Sequence, residues 1–284
     1  MPAFICTQCG TQFTPSASPP DGCAICQEER QYVNPRGQGW TTLEQMRGNG
    51  KPGFSNHRNA FTRYEAELFG ISPMPGIGIG QRALLLRTPR GNVLWDCVGF
   101  IDDATIEIVE ALGGIAAIAI SHPHYYTCMV EWSHAFGRAP ILLHSGDREW
   151  VMRPDPVIEF WEGKTKEIFP GVTLIHTAGH FTGATVLHWA ADASGKGALL
   201  GGDCVQVVGP DKTASFMWSY PNLIPLDAST VQRIADVLEP WPYEQVYGSW
   251  WEAHITSGGK QIVAHAVRRY IDAVSRPPPG QRDA

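Results

Sequence analysis

Three short apolar segments of this 284-residue chain each run directly into residues that can bind a metal ion. A run of four to eight apolar residues bounded by turn residues is typical of a buried β-strand. A single histidine is more often a surface or core residue than a ligand, but four candidates that each follow an apolar strand are hard to explain in that way. The segments are residues 115–120, followed by His122 and His124, residues 172–177, followed by His180, and residues 198–202, followed by Asp203.

The types and spacing of these residues favour one shared metal ion. Two histidines separated by one residue on an extended loop can reach the same ion, and Pro123 stiffens the turn between them. Gly179 and Gly183 allow the backbone around His180 to approach closely. Three imidazole ligands suit Zn²⁺ or Fe²⁺ and leave a coordination position for water or substrate.

Short strands that alternate with amphipathic helices predict an α+β or α/β domain. Two apolar strands flank residues 89–91, whose Pro-Arg-Gly sequence is a hairpin signal. Residues 104–112 predict a helix that ends at 113–114, a Gly-Gly pair suited to a left-handed cap. Further helices are predicted over 228–238 and from Lys260 onward, because their apolar residues form stripes at helical spacing. Hairpins in series with covering helices indicate packed sheets with helices outside.

The first 36 residues contain two C-x2-C pairs, Cys6 with Cys9 and Cys23 with Cys26. Each pair can place two thiolates on one tight turn, and two such turns can close a tetrahedron around Zn²⁺. The polar, proline-rich stretch between the pairs cannot form a core, so a metal ion has to supply the folding energy. We therefore predict a structural zinc module over residues 1–36. An iron knuckle of the rubredoxin type and fortuitous cysteines are the alternatives.

Charge and composition argue against several classes of partner. The formal net charge is −6 and the pI is near 5.9, whereas binding to nucleic acid or acidic membranes needs clustered Lys and Arg. No apolar run approaches the length of about 18 residues that a membrane span needs. The first residues also lack the pattern of a secretory signal. We expect a cytoplasmic protein with a small-molecule substrate, and a protein contact is the candidate role of the N-terminal module beyond stability. The sequence gives no indication of the oligomeric state.

Composition also predicts the boundaries of the domains. Residues 37–59 are rich in Gly, Asn, Gln and Pro, which is typical of an irregular connector. Residues 60–275 carry the strands, the helices and the candidate ligands, and residues 276–284 predict a disordered tail. The G-x-G-x-G of residues 76–80 precedes a strand instead of opening a helix, so it is not a dinucleotide-binding loop. The aromatic residues of 215–225 fit either a substrate entrance or core packing.

The order of strand, H-x-H, a later G-H in a loop and a later G-D after a strand resembles the metallo-β-lactamase superfamily. The similarity covers roughly residues 60–275. It implies a four-layer αββα sandwich with the metal site at one edge, between the sheets. It also implies that His122, His124, His180 and Asp203 are metal ligands, since each matches a ligand position of the family.

Departures from the family pattern concern the second metal ion of many of its members. The first family motif is usually H-x-H-x-D-H, and here Tyr126 and Thr127 occupy its last two positions. The family also has a histidine after its last strand, where this chain has Ser249 or Trp250 and where His254 comes a few residues late. The sequence therefore predicts a mononuclear site.

Three hypotheses about function follow from this site. In the first, the protein is a hydrolase of an ester, thioester, lactone or related bond, in which the metal lowers the pKa of a bound water. Asp203 then binds the metal or aims that water, and Tyr126 contacts an oxyanion. In the second, a mononuclear Fe²⁺ site uses His122, His180 and Asp203, as the resemblance to sulfur dioxygenases with this fold implies. In the third, catalysis has been lost and the chain is a binding protein. The four retained ligands favour the hydrolase.

Overall fold

The computed structural model describes residues 1–48, 56–192 and 195–276. Within these ranges, two β-sheets pack against each other, and helices cover their outer faces. Most of the predicted tail, from residue 277 onward, lies outside the described residues, and so does part of the predicted connector. None of the described helices is long and apolar enough to cross a membrane.

Short elements build the N-terminal region. The first strand pairs antiparallel with the second, with Cys6 opposite Trp40, so this pairing extends beyond residue 36. Thr42 caps the second helix by accepting a hydrogen bond from the N–H of Gln45. The elements are β1 (Ile5–Cys6), α1 (Ala24–Gln27), β2 (Trp40–Thr41) and α2 (Leu43–Met46).

The first large sheet follows the order of the sequence. In the part of the chain that the structure describes, its seven strands are β3 (Arg58–Glu65), β4 (Leu68–Met74), β5 (Ala83–Leu86), β6 (Val93–Trp95), β7 (Ala117–Ala119), β8 (Ile141–His144) and β9 (Ile158–Trp161). The strands from β3 to β6 pair antiparallel, and those from β6 to β9 pair parallel. The predicted hairpin around residues 89–91 is confirmed as the β5–β6 pair.

The second large sheet uses most of the later strands. They are β10 (Thr165–Phe169), β11 (Val172–His176), β12 (Thr185–Trp189), β13 (Ala198–Leu200), β18 (Gln245–Tyr247) and β19 (His254–Ile255). Between β13 and β18 the chain forms two hairpins, β14 (Gln206–Val208) with β15 (Thr213–Ser215) and β16 (Met217–Ser219) with β17 (Ile224–Pro225). In this second large sheet the pair β13–β18 is parallel, and all other neighbouring strands pair antiparallel.

Helices cover both sheets. They are α3 (Asp103–Ala111), α4 (Met129–Ala135), α5 (Ala228–Leu238) and α6 (Gly259–Ser275), and two 3₁₀ helices span Pro123–Tyr125 and Ser145–Trp150. The predicted bounds of α5 are confirmed, and α6 begins one residue before Lys260. The predicted cap of α3 is confirmed as well, because Gly113 and Gly114 have φ values of +109° and +70°.

Three apolar clusters fill the spaces between the layers. Side chains alternate between the two faces of a strand. Leu85 therefore packs beneath α3 and α4, whereas Leu84 lies between the sheets. In the second sheet, Leu187 also lies between the sheets, and Val186 packs beneath α5 and α6. The order helix, sheet, sheet, helix confirms the predicted four-layer sandwich.

The N-terminal region contacts the main domain through its backbone. Gly78 has a φ of +67°, and a Cβ at this position would lie 2.7 Å from the backbone carbon of Cys9. The N–H of Gln12 donates to the carbonyl of Thr127 at 3.1 Å. Gly78 thus allows the cysteine-bearing turn to approach closely, and this structural role requires no bound nucleotide.

Candidate metal centre

Loops that leave three strands bring the predicted ligands together between the sheets. At this edge the N–H of Thr185 donates to the carbonyl of Ser121 at 2.9 Å, which links the two sheets. The ligand atoms of the four residues all lie within 4.8 Å of one another. His122 and His124 follow β7, His180 lies between β11 and β12, and Asp203 follows β13.

The distances between these atoms fit one metal ion. Nε2 of His180 lies 3.3 Å from Nδ1 of His124, and Nε2 of His122 lies 3.6 Å from Oδ2 of Asp203. A tetrahedral site with metal–nitrogen bonds of about 2.0–2.1 Å has nitrogen atoms about 3.3 Å apart. Nε2 of His122 is buried without a hydrogen-bond partner, which a bound cation would remedy. These residues therefore fit a metal ion.

Hydrogen bonds orient two of the imidazoles. Nδ1 of His180 donates to the carbonyl of Met217 at 3.0 Å. Nδ1 of His122 lies 2.8 Å from Oγ of Ser121, and the N–H of Ser121 donates to Oδ1 of Asp96 at 2.8 Å. Contacts of this kind fix the tautomer and the ring orientation of metal ligands. They leave Nε2 of both histidines facing the centre.

Burial keeps the histidines neutral. It lowers the pKa of His122 and His124 far below the usual range, with a smaller contribution from His180, and it lowers the pKa of His180 to about 4. Neutral imidazole is the form that binds metals, so the site needs no deprotonation near neutral pH. Burial also raises the pKa of Asp203 to about 7. A bound cation opposes this shift because it favours the carboxylate.

A buried tyrosine that sequence analysis did not single out holds Asp203. The hydroxyl of Tyr125 donates to Oδ1 of Asp203 at 2.7 Å, and Nε2 of Gln206 lies 3.4 Å from the same oxygen. The ring of Tyr125 lies 4.3 Å from the ring of His122. One carboxylate oxygen therefore faces hydrogen-bond donors of the protein, and the other faces the histidines.

The residues that depart from the family pattern are not part of this ligand group. Tyr126 is 3% exposed and packs in the cluster beneath α3 and α4. Thr127 has a φ of +36°, and its Oγ1 is buried without a hydrogen-bond partner. Ser249 is also buried. His254 lies on β19, where its ring stacks on Tyr247 at 6.2 Å. Within the described ranges, none of them joins the clustered ligands.

Part of the predicted aromatic stretch covers the centre. The ring of Tyr220 lies 5.7 Å from that of His180, and its hydroxyl donates to the carbonyl of Asp203 at 3.0 Å. Phe216, in contrast, is fully buried beneath α5 and α6. Tyr220 therefore lies at the site and Phe216 belongs to the core, whereas a substrate entrance in this stretch stays a prediction.

The four cysteines form a second cluster. The Sγ atoms of Cys6 and Cys26 are 3.6 Å apart, as are those of Cys9 and Cys23, and no disulfide is present among them. A tetrahedral zinc site with Zn–S bonds of about 2.3 Å has sulfur atoms about 3.8 Å apart. Hydrogen bonding to Cys23 raises the pKa of the Cys9 thiol well above its usual range. Four thiolates this close together repel one another, and a cation between them would stabilise the group.

Asp96 and Arg30 also lie beside the histidine site, and sequence analysis missed both. Asp96 directly follows β6, which is the same pattern of strand and polar residue that identified the ligands. Its φ of +61° is uncommon for a residue other than glycine. Arg30 donates to the carbonyl of His180, 150 positions away. No local pattern predicts such a distant contact.

Solved structures identify the fold of the main domain. VMB-1 matches with a TM-score of 0.57 and 14% identity, over 77% of this chain and 99% of that one. The metallo-β-lactamase DIM-1 matches with a TM-score of 0.55 and 12% identity, over 77% and 99% of the two chains. SMB-1, another metallo-β-lactamase, gives 0.51 and 16%, over 75% and 94%. Identities this low establish the fold alone. The structural matches confirm the predicted four-layer sandwich.

A relative by sequence covers nearly the whole chain. The uncharacterized protein YmaE of Bacillus subtilis (strain 168) is 44% identical over 275 residues, which are 97% of this chain and 98% of YmaE. No protein-family model matches the sequence. The chain therefore belongs to the family of YmaE, and its main domain has the metallo-β-lactamase fold.

Proposed function

We propose that the protein is a metal-dependent hydrolase of an ester, thioester, lactone or related bond. The convergence of ligand atoms within 4.8 Å, contributed by neutral buried imidazoles and one carboxylate, is the observation that carries this proposal. The ligands of the single catalytic ion are His122, His124, His180 and Asp203. We propose Zn²⁺ as the ion of the cysteine cluster and Zn²⁺ or Fe²⁺ as the ion of the histidine site.

The chain's own residues orient the reaction. His122, His124, His180 and Asp203 would hold the metal ion, which would supply Lewis acidity that favours deprotonation of water near neutral pH. Asp203 presents Oδ2 toward the histidines, where it can bind the ion or accept a hydrogen bond from the attacking water. Tyr125 fixes the other carboxylate oxygen, and Tyr220 covers the site from the side of His180. These contacts hold the carboxylate in one orientation and exclude bulk water.

Tyr125 supports a mononuclear site. Its hydroxyl donates to Oδ1 of Asp203, so this oxygen already has a hydrogen-bond partner in the protein and is less available to a second ion. Burial raises the pKa of Tyr125 well above its usual range, so the phenol remains a neutral donor. Thr127 and Ser249 stand where the family places further ligands, and neutral hydroxyl groups bind divalent cations more weakly than imidazoles or carboxylates do.

The ring of Tyr126 packs in the cluster beneath α3 and α4, and its hydroxyl is our candidate for contact with a developing oxyanion. A phenol can donate a hydrogen bond but is a poor base near neutral pH. The variants Tyr125→Phe and Tyr126→Phe form a matched pair for this role. Loss of the Tyr126 hydroxyl should lower kcat about 100- to 1,000-fold and leave the metal content unchanged. Turnover equal to that of the wild type would remove Tyr126 from the mechanism.

Metal content tests the site itself. Plasma mass spectrometry on the purified full chain should give about two metal ions in the wild type and about one in the His122→Ala/His180→Ala variant. If the ion that the variant loses is iron, a dioxygenase replaces the hydrolase as the better assignment. One ion in both proteins would show that the histidine site does not bind metal and that the chain is a binding protein.

Activity is the second part of the test. Chromogenic esters, thioesters and lactones should be hydrolysed by the metal-loaded wild type and not by the double variant. A wild type that binds two ions yet turns over none of these substrates would refute the hydrolase assignment and leave the metal site intact.

A further inference from the structure

Arg30 connects the cysteine cluster to the histidine cluster. Helix α1 carries Cys26 and ends at Gln27, and the chain then crosses directly to the loop of His180. Nη1 of Arg30 donates to the carbonyl of His180 at 3.1 Å. The side chain of Arg30 is only 13% exposed, so this contact is shielded from water.

The guanidinium of Arg30 is held from several directions. Its Nε lies 2.8 Å from Oε2 of Glu28, and the same oxygen accepts a hydrogen bond from the N–H of Arg30 at 2.8 Å. Its central carbon lies 3.7 Å from the ring centroid of Phe181 and 5.6 Å from those of Trp150 and Trp218. A planar group between an ion pair and aromatic rings has little freedom. Arg30 therefore gives the carbonyl of His180 a fixed partner.

The backbone next to Arg30 holds the imidazole of His180 indirectly. The carbonyl of Glu29 accepts hydrogen bonds from Oγ of Ser219 at 3.1 Å and from Nδ2 of Asn222 at 2.7 Å. Ser219 and Asn222 belong to the hairpin that begins at Met217, and the carbonyl of Met217 accepts from Nδ1 of His180 at 3.0 Å. The segment after α1 thus contacts the backbone carbonyl of His180 directly and supports the imidazole of His180 through the hairpin.

We propose that Arg30 is a positioning residue for the histidine site and that it couples the two metal clusters. An ion held by the four cysteines fixes α1, α1 fixes the segment that follows it, and that segment orients His180. This inference rests on the metal site of the proposed function and not on the bond that the enzyme cleaves. Coupling between two binding sites is reciprocal, so an ion at either cluster favours an ion at the other.

The charge of Arg30 opposes this positioning effect. Burial is the main cause of the low pKa of His124, and the positive charge of Arg30 contributes to it. The same charge repels a metal ion, although the carboxylate of Glu28 offsets part of this repulsion. If positioning dominates, Arg30→Met weakens metal binding; if repulsion dominates, it strengthens metal binding.

Chelator competition on the Co²⁺-loaded full chain separates these outcomes. Thiolate-bound Co²⁺ absorbs through charge transfer from sulfur, whereas Co²⁺ bound by imidazole and carboxylate shows weaker ligand-field bands, so one spectrum follows both sites. The variants are Arg30→Met and Arg30→Lys, which keeps the charge but loses the planar group. Arg36→Met is the matched control, because Arg36 lies in the same module with an exposed side chain.

We expect the affinity of the histidine site to fall about 10- to 100-fold in Arg30→Met, to fall in Arg30→Lys as well, and to stay unchanged in Arg36→Met. Equal affinity in all four proteins, or a higher affinity in Arg30→Met, would overturn the proposal. The absorption of the cysteine site and the circular dichroism spectrum report in the same samples whether each variant is folded. Because the readout is metal affinity, failure of the hydrolase assignment would leave this result unaffected.

A double-mutant cycle tests the coupling itself. His124→Ala removes the ion from the histidine site, so by reciprocity it should weaken Co²⁺ binding by the cysteines. The same change should have no such effect in the Arg30→Met background, where the connection is already broken. A cysteine-site affinity that His124→Ala leaves unchanged in the wild-type background would refute the coupling.

Discussion

The two clusters of metal-binding side chains differ in what surrounds them. The four cysteines lie within 20 positions of one another, and Ile25 is the other fully buried apolar residue of their cluster among the described residues. The histidine site takes its ligands from three loops, and these loops are anchored in sheets with large apolar clusters on both faces. The cysteine region therefore has almost no apolar core of its own, whereas the histidine site is supported by the large apolar clusters of the main domain.

This difference predicts opposite roles for metal ions bound at the two clusters. Thiolates held close together repel one another unless a cation lies between them. Metal binding would therefore stabilise the fold of the cysteine region. The histidines are neutral and are placed by strands that pair without them, so the fold makes the metal site. The contrast predicts that losing a ligand unfolds the first region and only empties the second.

The largest effect is expected for a cysteine ligand. Cys9→Ser should lower the free energy of unfolding by more than about 4 kcal/mol and release one metal ion, because the cysteine region has no core to replace it. Chemical denaturation together with metal analysis measures both quantities. Cys97→Ser is the control, since Cys97 is equally buried but lies outside both clusters. Equal losses of stability in the two variants would break the comparison.

A histidine ligand should matter less for stability. His124→Ala should abolish metal binding at its site but lower the free energy of unfolding by only about 1–3 kcal/mol, since the apolar clusters remain. The near-ultraviolet circular dichroism of the tryptophans should stay close to that of the wild type. Loss of this signal at moderate temperature would mean that the histidine site, too, depends on its ion for folding.

Docking of the cysteine region should be sensitive to one glycine. Gly78→Ala places a Cβ 2.7 Å from the backbone of Cys9, and we expect a loss of about 1–3 kcal/mol, measured by denaturation. Gly80→Ala is a matched control, because Gly80 also has a positive φ, +79°, but a Cβ there meets nothing within 4 Å. The difference in the free energy of unfolding between the two variants measures the effect of the close contact between residue 78 and Cys9. Identical losses would show that backbone conformation alone accounts for the effect.

The smallest effect concerns protons instead of metals. The rings of His144 and His176 stack at 3.8 Å between the sheets, and burial, with a contribution from His176, lowers the pKa of His144. The folded state therefore disfavours protonation. The contribution of His144 is present above the unfolded pKa of about 6.5 and is lost as the pH falls below it.

Replacing one partner should reduce this acid sensitivity. In His176→Gln, the fall in Tm between pH 7.5 and pH 5.5 should be smaller than in the wild type by about 1–3 °C. Scanning calorimetry in the presence of Zn²⁺ measures it. His134→Gln serves as the control, because His134 is partly exposed and lies 3.0 Å from Asp155. An unchanged acid slope in His176→Gln would show that the ring of His176 adds nothing to the effect of burial on His144.

Sequence patterns predict the ligands and the layers because both depend on the pattern of residues within short segments. His122 and Asp203 each follow an apolar strand, and α5 shows its stripe without any tertiary information. The sequence pattern does not predict strand β3, because this strand is mostly half-exposed and carries charged residues. The pattern does not predict the roles of Tyr125 and Arg30 for another reason. Their roles depend on partners 78 and 150 positions away, and only the folded chain shows such contacts.

The position of Thr127 bears on how this protein could be re-engineered. Thr127 stands where the family pattern has the last histidine of its first motif, yet its carbonyl binds Gln12, and its methyl group would lie 3.3 Å from a Cβ at Gly10. Thr127→His would therefore force the cysteine region away from the domain. In this chain that position is in contact with another part of the polypeptide, the cysteine region. Rebuilding a two-ion centre would require removing that part first, and not only restoring the ligands.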